Sequence, residues 1–168
     1  GYTGNNYASF RSNTASRPTM IYIGGNDGML HAFNASTGAE QFAYIPQGVY
    51  SKLKAYTDPA YTHQYTVDGH PFTGDIHDGS NWKTMLVGSL AGGGKGYFVL
   101  DVTNPGSLTG ASGSSLVVLD KTDGSDPDIG HIYGEPTLDN TNSERVVQIT
   151  KLNNNRWAVL MGNGINST

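Results

Sequence analysis

A glycine-rich loop with a lysine, GGGKG at residues 92–96, is the segment that comes nearest to a phosphate-binding loop. Such a loop needs a glycine, four residues, Gly-Lys, and then a serine or threonine that reaches the metal ion. Here Gly94-Lys95 is followed by Gly96, and Ser89 stands where the leading glycine should be. The β-prone run YFVLDV comes next, so no helix N-terminus would meet a phosphate. The pattern therefore predicts a tight loop between two strands.

The acidic segment KTDGSDPD at residues 121–128 is the next candidate, because its carboxylates could bind calcium. An EF-type loop requires oxygen ligands at alternating positions and a glutamate at position twelve. Counted from Asp123, the third position is Ser125, the fifth is Pro127 and the twelfth is Gly134. The sequence favours a turn here over a weak surface calcium contact.

Histidines and aspartates close in sequence could begin a metal site at His70, Asp75, His77 and Asp78. Asp75 and His77 would share one face of a strand, since side chains alternate along a strand. No motif with complete ligand spacing is present, which favours a solvated strand end. His31 alternates with apolar neighbours and is predicted to be a packed or strand-face histidine.

Catalytic residues are not indicated anywhere in the chain. The nucleophile motif GxSxG is absent, and no Ser-His-Asp set can be assembled from the sequence. Glu40, Glu135 and Glu144 are scattered, so a pair of carboxylates for glycoside hydrolysis is not indicated. The sequence therefore predicts a protein that is not an enzyme, and it assigns no catalytic, cofactor-binding or metal-ligating residue.

Tyrosines gather around residues 46–64, a segment that breaks the strand pattern. The five are Tyr44, Tyr50, Tyr56, Tyr61 and Tyr65. Tyrosines on a protruding loop offer a large contact area at low entropic cost. They could equally hold the loop onto the body of the domain, and the sequence leaves both alternatives open.

The composition favours short strands joined by tight turns. The chain has 168 residues, with 23 glycines and 14% charged residues, whereas an average soluble domain has about 7% glycine and about 25% charged residues. Glycine accepts positive φ angles, which tight turns require. Long solvated helices are disfavoured, because they usually carry charged faces.

The charge and the residue types exclude several classes of function. The net charge is −4 and no basic run is present, so nucleic-acid binding is not expected. There is no cysteine, which excludes disulfides and thiolate metal sites. No apolar run is long enough to span a bilayer. No signal peptide is seen, and the abrupt ends of the sequence suggest an excerpt of a longer protein.

The order of the segments predicts an all-β fold. Residues 1–16 read as a linker or approach segment, and residues 17–168 as three blade-like units near 19–45, 65–102 and 116–168. The first is predicted as a three-stranded meander in which Asp27-Gly28 forms a type I′ turn. A short helical insertion is expected near residues 48–56.

An internal repeat suggests that these units are blades of a propeller. IYIGG at 21–25, MLVGS at 85–89 and AVLMG at 158–162 each end an apolar strand in glycine. In such repeats a small twisted sheet buries both faces only against its neighbours. Two to three blades alone would leave their outer faces bare, so the rest of a ring or a partner is expected to cover them.

Five ordered blocks closely resemble the C-terminal propeller of the PilY-type (PilC/PilY) family of type IV pilus biogenesis and adhesion proteins. The blocks are RPTMIYIGGNDGMLHAFNASTGAEQFAYIP at 17–46, DPAYTHQYTVDGHP at 58–71, WKTMLVGSLAGGGKGYFVLDVTNP at 82–105, DPDIGHIYGEP at 126–136 and RWAVLMGNGINS at 156–167. The first block is also similar to the quinoprotein repeat of PQQ-dependent dehydrogenases, a device that builds blades and so indicates fold more than activity.

The resemblance implies a modified, seven-bladed propeller with quinoprotein-like blades, of which this chain would cover two to three. It implies export to the periplasm, the outer membrane or the cell surface, and a role in pilus assembly and adhesion. The implied partners are pilins, minor pilins or other assembly proteins, and a host or abiotic surface. The family's calcium loop would lie beyond Thr168, so no cofactor is assigned to this chain. The alternative is a fragment of a PQQ-dependent oxidoreductase.

Overall fold

Short antiparallel strands form most of the regular structure in a computed structural model that describes residues 4–108 and 113–168. The strands are β1 (Met20–Gly24), β2 (Leu30–Asn34), β3 (Glu40–Tyr44), β4 (Phe72–His77), β5 (Trp82–Ser89), β6 (Tyr97–Asp101), β7 (Val117–Asp120), β8 (Leu138–Asp139), β9 (Asn142–Val146), β10 (Ile149–Lys151) and β11 (Trp157–Val159). The α-helices are α1 (Tyr7–Asn13), α2 (Tyr50–Leu53) and α3 (Gly113–Leu116). No described helix is long and apolar enough to cross a membrane.

The first sheet is the predicted meander, with strand order β1-β2-β3. Its first turn differs from the predicted type I′ turn. The Gly25 amide donates to the Met29 carbonyl, and only Gly28 in this loop has a positive φ, of 99°. A three-residue loop needs one left-handed residue where type I′ needs two, so Asp27 keeps an ordinary φ. Its carboxylate instead accepts the Met29 amide.

The second sheet has four strands in sequential order, β4-β5-β6-β7. This corrects the predicted unit boundaries, because residues 117–120 pair with β6 and therefore complete the second unit rather than open the third. Residues 65–69 form no strand. Instead, the Val67 amide donates to the carbonyl of Gly25, the residue after β1, and the Gly69 amide donates to the carbonyl of Ser89 at the end of β5.

The third unit consists of two separate two-stranded ladders, β8-β9 and β10-β11. A turn at residues 153–155 joins the second ladder: the Leu152 amide donates to the Arg156 carbonyl, and Asn155 has a φ of 65°. Residues 131–137 form no strand and contribute a single bridge between His131 and Ile165.

The second sheet lies between the other two units and is buried on both faces. One face joins the first sheet in a core, the first core, that contains Leu30, Ala32, Phe42, Val49, Leu86, Phe98 and Leu100. The opposite face joins the third unit in a second core of Met85, Val87, Val99, Val146 and Ile149. Alternate residues of β5 and β6 therefore serve different neighbours. This is the face-to-face stacking that the sequence predicts for blades.

The outer face of the first sheet has no such neighbour among the described residues. Ile21 and Ile23 point from β1 to this side, and each is 53% exposed. The sequence analysis expects an incomplete set of blades to leave an apolar face uncovered. The exposed side chains of Ile21 and Ile23 form such a face.

Helix α1 corrects the interpretation of residues 1–16 as a linker, of which residues 1–3 lie outside the described part. The Tyr7 hydroxyl donates to Asp75 over 2.8 Å, and the Tyr7 ring lies 4.4 Å from that of Trp82. Phe10, one turn later, also faces Trp82 at 6.3 Å. Aromatic residues three apart share a helix face, so contact with Trp82 explains why this polar segment is helical.

Candidate interaction surface

The insertion after β3 is helical, as predicted. A 3₁₀ turn at Gln47–Val49 leads into α2, and a second 3₁₀ turn covers Lys54–Thr57. Val49 is fully buried in the first core. Gly48 fits tightly against the body of the domain, since a Cβ there would lie 2.1 Å from the Thr122 carbonyl oxygen. The start of the insertion is therefore fixed.

Asp120, at the end of β7, fastens the insertion to the second sheet. One carboxylate oxygen accepts the Tyr44 hydroxyl at 2.5 Å and the Gln47 amide at 2.8 Å. The other accepts the Thr122 amide at 2.9 Å and its hydroxyl at 2.5 Å. Burial, together with Asp120, raises the pKa of the Tyr44 hydroxyl, which keeps it protonated as a donor.

The five tyrosines divide between the two alternatives that the sequence leaves open. Tyr44 and Tyr56 serve internal contacts, the latter by donating to the Asn26 carbonyl at 2.7 Å. Tyr61 packs beside Tyr56 with tilted rings and 5.4 Å between ring centroids. Tyr50 and Tyr65 are 58% and 53% exposed, so these two are the ones available for contact with another molecule.

Tyr65 lies where the insertion meets the glycine-rich loop. The His63 ring meets it edge-on at 5.2 Å, and a Cβ on Gly92 would touch the Tyr65 ring at 3.4 Å. Lys52, from α2, donates to the carbonyls of Tyr65 and Gly93. We call Tyr50, Lys52, His63, Tyr65 and Gly92 the insertion surface.

The glycine-rich loop is a packing loop, as the sequence predicts. A Cβ on Gly93 would lie 1.7 Å from the Thr66 carbonyl oxygen, and one on Gly96 2.1 Å from that of Lys121. Strand β6 follows directly. The Lys95 amine donates to the Asn166 carbonyl at 2.6 Å, so it does not turn back towards the loop's own amides.

The acidic segment forms the predicted turns. Asp123 accepts the amide and hydroxyl of Ser125, and Asp126 accepts the amide of Asp128. The two hydrogen bonds from Ser125 lower the pKa of Asp123. Within residues 4–108 and 113–168, no group of three or more histidine and acidic side chains could hold a metal ion.

The histidine–aspartate group around β4 does not converge. Asp75 accepts hydrogen bonds from Tyr7 and Thr84, while His77 packs edge-on against Trp82 at 5.4 Å. Asp78 accepts the amides of residues 80 and 81 in the following turn. These bonds, with that of Lys83, lower the pKa of Asp78 to about 2. His70 precedes the strand.

His31 is a strand-face residue, as predicted, and it bridges two carboxylates. Its ring nitrogens lie 2.5 Å from Glu40 Oε1 and 2.9 Å from Asp27 Oδ2. The ring also stacks on Phe33 at 5.8 Å. The hydrogen bond to Glu40 is the main cause of the raised pKa of His31.

The bridge makes the stability of the first sheet depend on pH. Because the folded-state pKa of His31 is raised, the bridge stabilises the fold fully below the unfolded-state pKa of about 6.5. This stabilisation is lost as the pH rises through the folded-state pKa. We expect the midpoint of thermal unfolding to fall as the pH rises through this range. In His31→Gln the midpoint should depend less on pH. His70→Gln, which leaves the bridge intact, should keep the wild-type profile. An unchanged profile in His31→Gln would contradict this role.

Comparison with known proteins places these features in a family. The model of the PilY1 beta-propeller domain matches residues 2–168. A type IV pilus biogenesis factor PilY1 homolog from Xylella fastidiosa is 41% identical over 96% of this chain. The PilY1 factor of Pseudomonas aeruginosa is 38% identical over 96%. The crystal structure of the Pseudomonas aeruginosa PilY1 C-terminal domain covers 97% of the chain with a TM-score of 0.69 at 36% identity.

The match covers only part of each relative. The chain spans 12% of the Xylella protein, 13% of the Pseudomonas protein and 28% of the crystallised domain. Together with the stacked sheets, the matches identify the fold as a segment of a β-propeller.

Proposed function

Since the chain belongs to the PilY1 β-propeller family, we propose that it takes part in type IV pilus biogenesis as a non-enzymatic contact module. The single observation that carries this proposal is the match to pilus biogenesis factors over nearly all of the chain. These relatives do not support the alternative of a PQQ-dependent oxidoreductase. The proposed location is the pilus or the cell surface, after export.

The contacts are proposed to be made by the insertion surface. Tyr50 and Tyr65 are large exposed side chains on segments held firmly by Val49, Lys52 and Asp120. A rigid, exposed tyrosine loses little entropy on binding, and aromatic anchors often contribute most of the energy of an interface. Pilins or minor pilins are the proposed partners, and adhesion to a host or abiotic surface is proposed as a second role.

The test is to replace both tyrosines by alanine in the whole protein that carries the chain. We expect Tyr50→Ala/Tyr65→Ala to weaken binding to the pilus partner about tenfold and to reduce surface pili at unchanged protein level. Tyr133→Ala is the matched control, because Tyr133 is 51% exposed but lies outside the insertion surface.

Pilus number and attachment per piliated cell should be measured separately. Loss of pili alone would support the assembly role, and loss of attachment by piliated cells would support adhesion. Wild-type pili and attachment in the double variant would rule out the insertion surface as the contact site. If deleting residues 17–168 also left both unchanged, the proposed function itself would be wrong.

A further inference from the structure

A cavity of about 250 Å³ lies where helix α1, strands β4 and β5, and strand β9 meet. Its walls therefore come from the N-terminal segment, the second sheet and the third unit. Charged and hydroxyl-bearing side chains line it at Tyr7, Arg11, Arg17, Asp75, Thr84 and Arg145. We call it the arginine cavity.

The cavity gathers positive charge in an acidic chain. The chain has four arginines and a net charge of −4. Three of the four, Arg11, Arg17 and Arg145, line this one cavity, against the single carboxylate of Asp75. Such clustering creates a local positive potential that differs in sign from that of the chain as a whole.

The lone carboxylate is already engaged by neutral donors. Asp75 accepts the Thr84 hydroxyl at 2.7 Å on one oxygen and the Tyr7 hydroxyl at 2.8 Å on the other. Among the described residues it forms no ion pair with an arginine. Asp75 carries one negative charge, so it cannot offset the positive charges of Arg11 and Arg17 together.

Arg17 is held in place by groups that carry no charge. Its Nη1 donates to the Thr84 hydroxyl oxygen at 2.8 Å and to the Thr103 carbonyl at 3.2 Å. A guanidinium has five donors in a rigid fork, and these bonds use only one of its nitrogens. Arg145, from strand β9, forms an ion pair with Asp139 at 3.6 Å and also lines the cavity.

We propose that the arginine cavity binds a small oxyanion, either a phosphate or a carboxylate group. Guanidinium forks match the paired oxygens of both groups, and bonds between charged partners are about twice as strong as neutral ones. The volume admits one such group beside the three side chains. This site is distinct from the insertion surface, and the inference does not depend on the proposed pilus role.

The test is a titration of the full chain with sodium phosphate and with glutarate, by calorimetry at pH 7 and constant ionic strength with sodium chloride as the balancing salt. We expect saturable binding of at least one anion. Replacing one arginine of the cavity should weaken the binding of that anion about tenfold, as expected for the loss of a charge-assisted hydrogen bond. Stronger phosphate binding would indicate a tetrahedral anion, and stronger glutarate binding a carboxylate such as an acidic side chain of a partner.

Arg11→Gln is the main variant, because Arg11 is exposed and its loss does not disturb the bonds of Arg17. Arg17→Gln is the second, with near-ultraviolet circular dichroism to check that the fold is retained. Arg156→Gln is the matched control, since Arg156 is the one arginine outside the cavity. Absence of saturable binding by either anion, or an equal loss in Arg156→Gln and Arg11→Gln, would overturn the inference.

Discussion

Phe98→Ala is expected to lower the free energy of unfolding by about 4 kcal/mol. The Phe98 side chain is fully buried in the first core, where its ring meets that of Tyr44 edge-on at 5.2 Å. Truncation would remove one of the largest side chains that join the first and second sheets. It would leave a cavity between two hydrogen-bonded layers that cannot close over it. Urea unfolding followed by circular dichroism measures the effect.

Val118→Ala is the matched control for this prediction. Val118 lies in β7 of the same sheet and is 55% exposed, so its truncation should change the free energy of unfolding by less than about 0.5 kcal/mol. Equal losses in the two variants would show that the first core does not join the two sheets.

A double-mutant cycle sharpens the test. A Cβ on Gly88 would lie 2.4 Å from the tip of the Phe98 ring. We therefore expect Gly88→Ala to be destabilising in the wild-type chain and far better tolerated together with Phe98→Ala, because the colliding ring is then absent. Additive losses would contradict this packing.

Asp120→Ala is expected to cost about 3 kcal/mol, since several donors lose a charged acceptor at once. The carboxylate accepts bonds from Tyr44, Gln47 and Thr122, which belong to the first sheet, the insertion and the segment after β7. Its removal should therefore both lower the free energy of unfolding, measured in urea, and loosen the insertion, measured by hydrogen exchange at residues 47–53.

Asp123→Ala provides the comparison. Asp123 is exposed and accepts its hydrogen bonds from Ser125 in its own turn, so its replacement is expected to lower the free energy of unfolding far less than that of Asp120. If Asp120→Ala left hydrogen exchange in the insertion unchanged, Asp120 would not be the residue that fastens it.

Short-range sequence patterns predict those elements of the fold whose contacts join residues close in sequence. The meander at 19–45 and the helical insertion follow from the residues at turn positions and from the spacing of apolar residues. The sequence pattern places strand β7 in the wrong unit because β7 pairs with β6 across residues 102–116. Pairing between strands this far apart in sequence cannot be recognised from the residues of either strand. Helix α1 escapes prediction because its stability depends on Trp82, which is distant in sequence.

The candidate site could be predicted only as a region. Clustering of tyrosines indicates the insertion, but which of them are exposed depends on partners such as Asn26 and Asp120. The arginine cavity gives no signal in the sequence, because Arg145 is distant in sequence from Arg11 and Arg17. The three meet only when the N-terminal segment, the second sheet and the third unit pack together.

The two-faced second sheet has a consequence for recombination between relatives. Exchanging the third unit would require matching changes on the face that packs against it, where Met85, Val87 and Val99 are buried and Phe72, Ile76, Tyr97 and Leu119 are partly buried. Leu86 and Phe98, one position away, could stay as they are, because they serve the other neighbour. Chimeras with crossover points beside this sheet should therefore need compensating substitutions on one face of the sheet and not on the other.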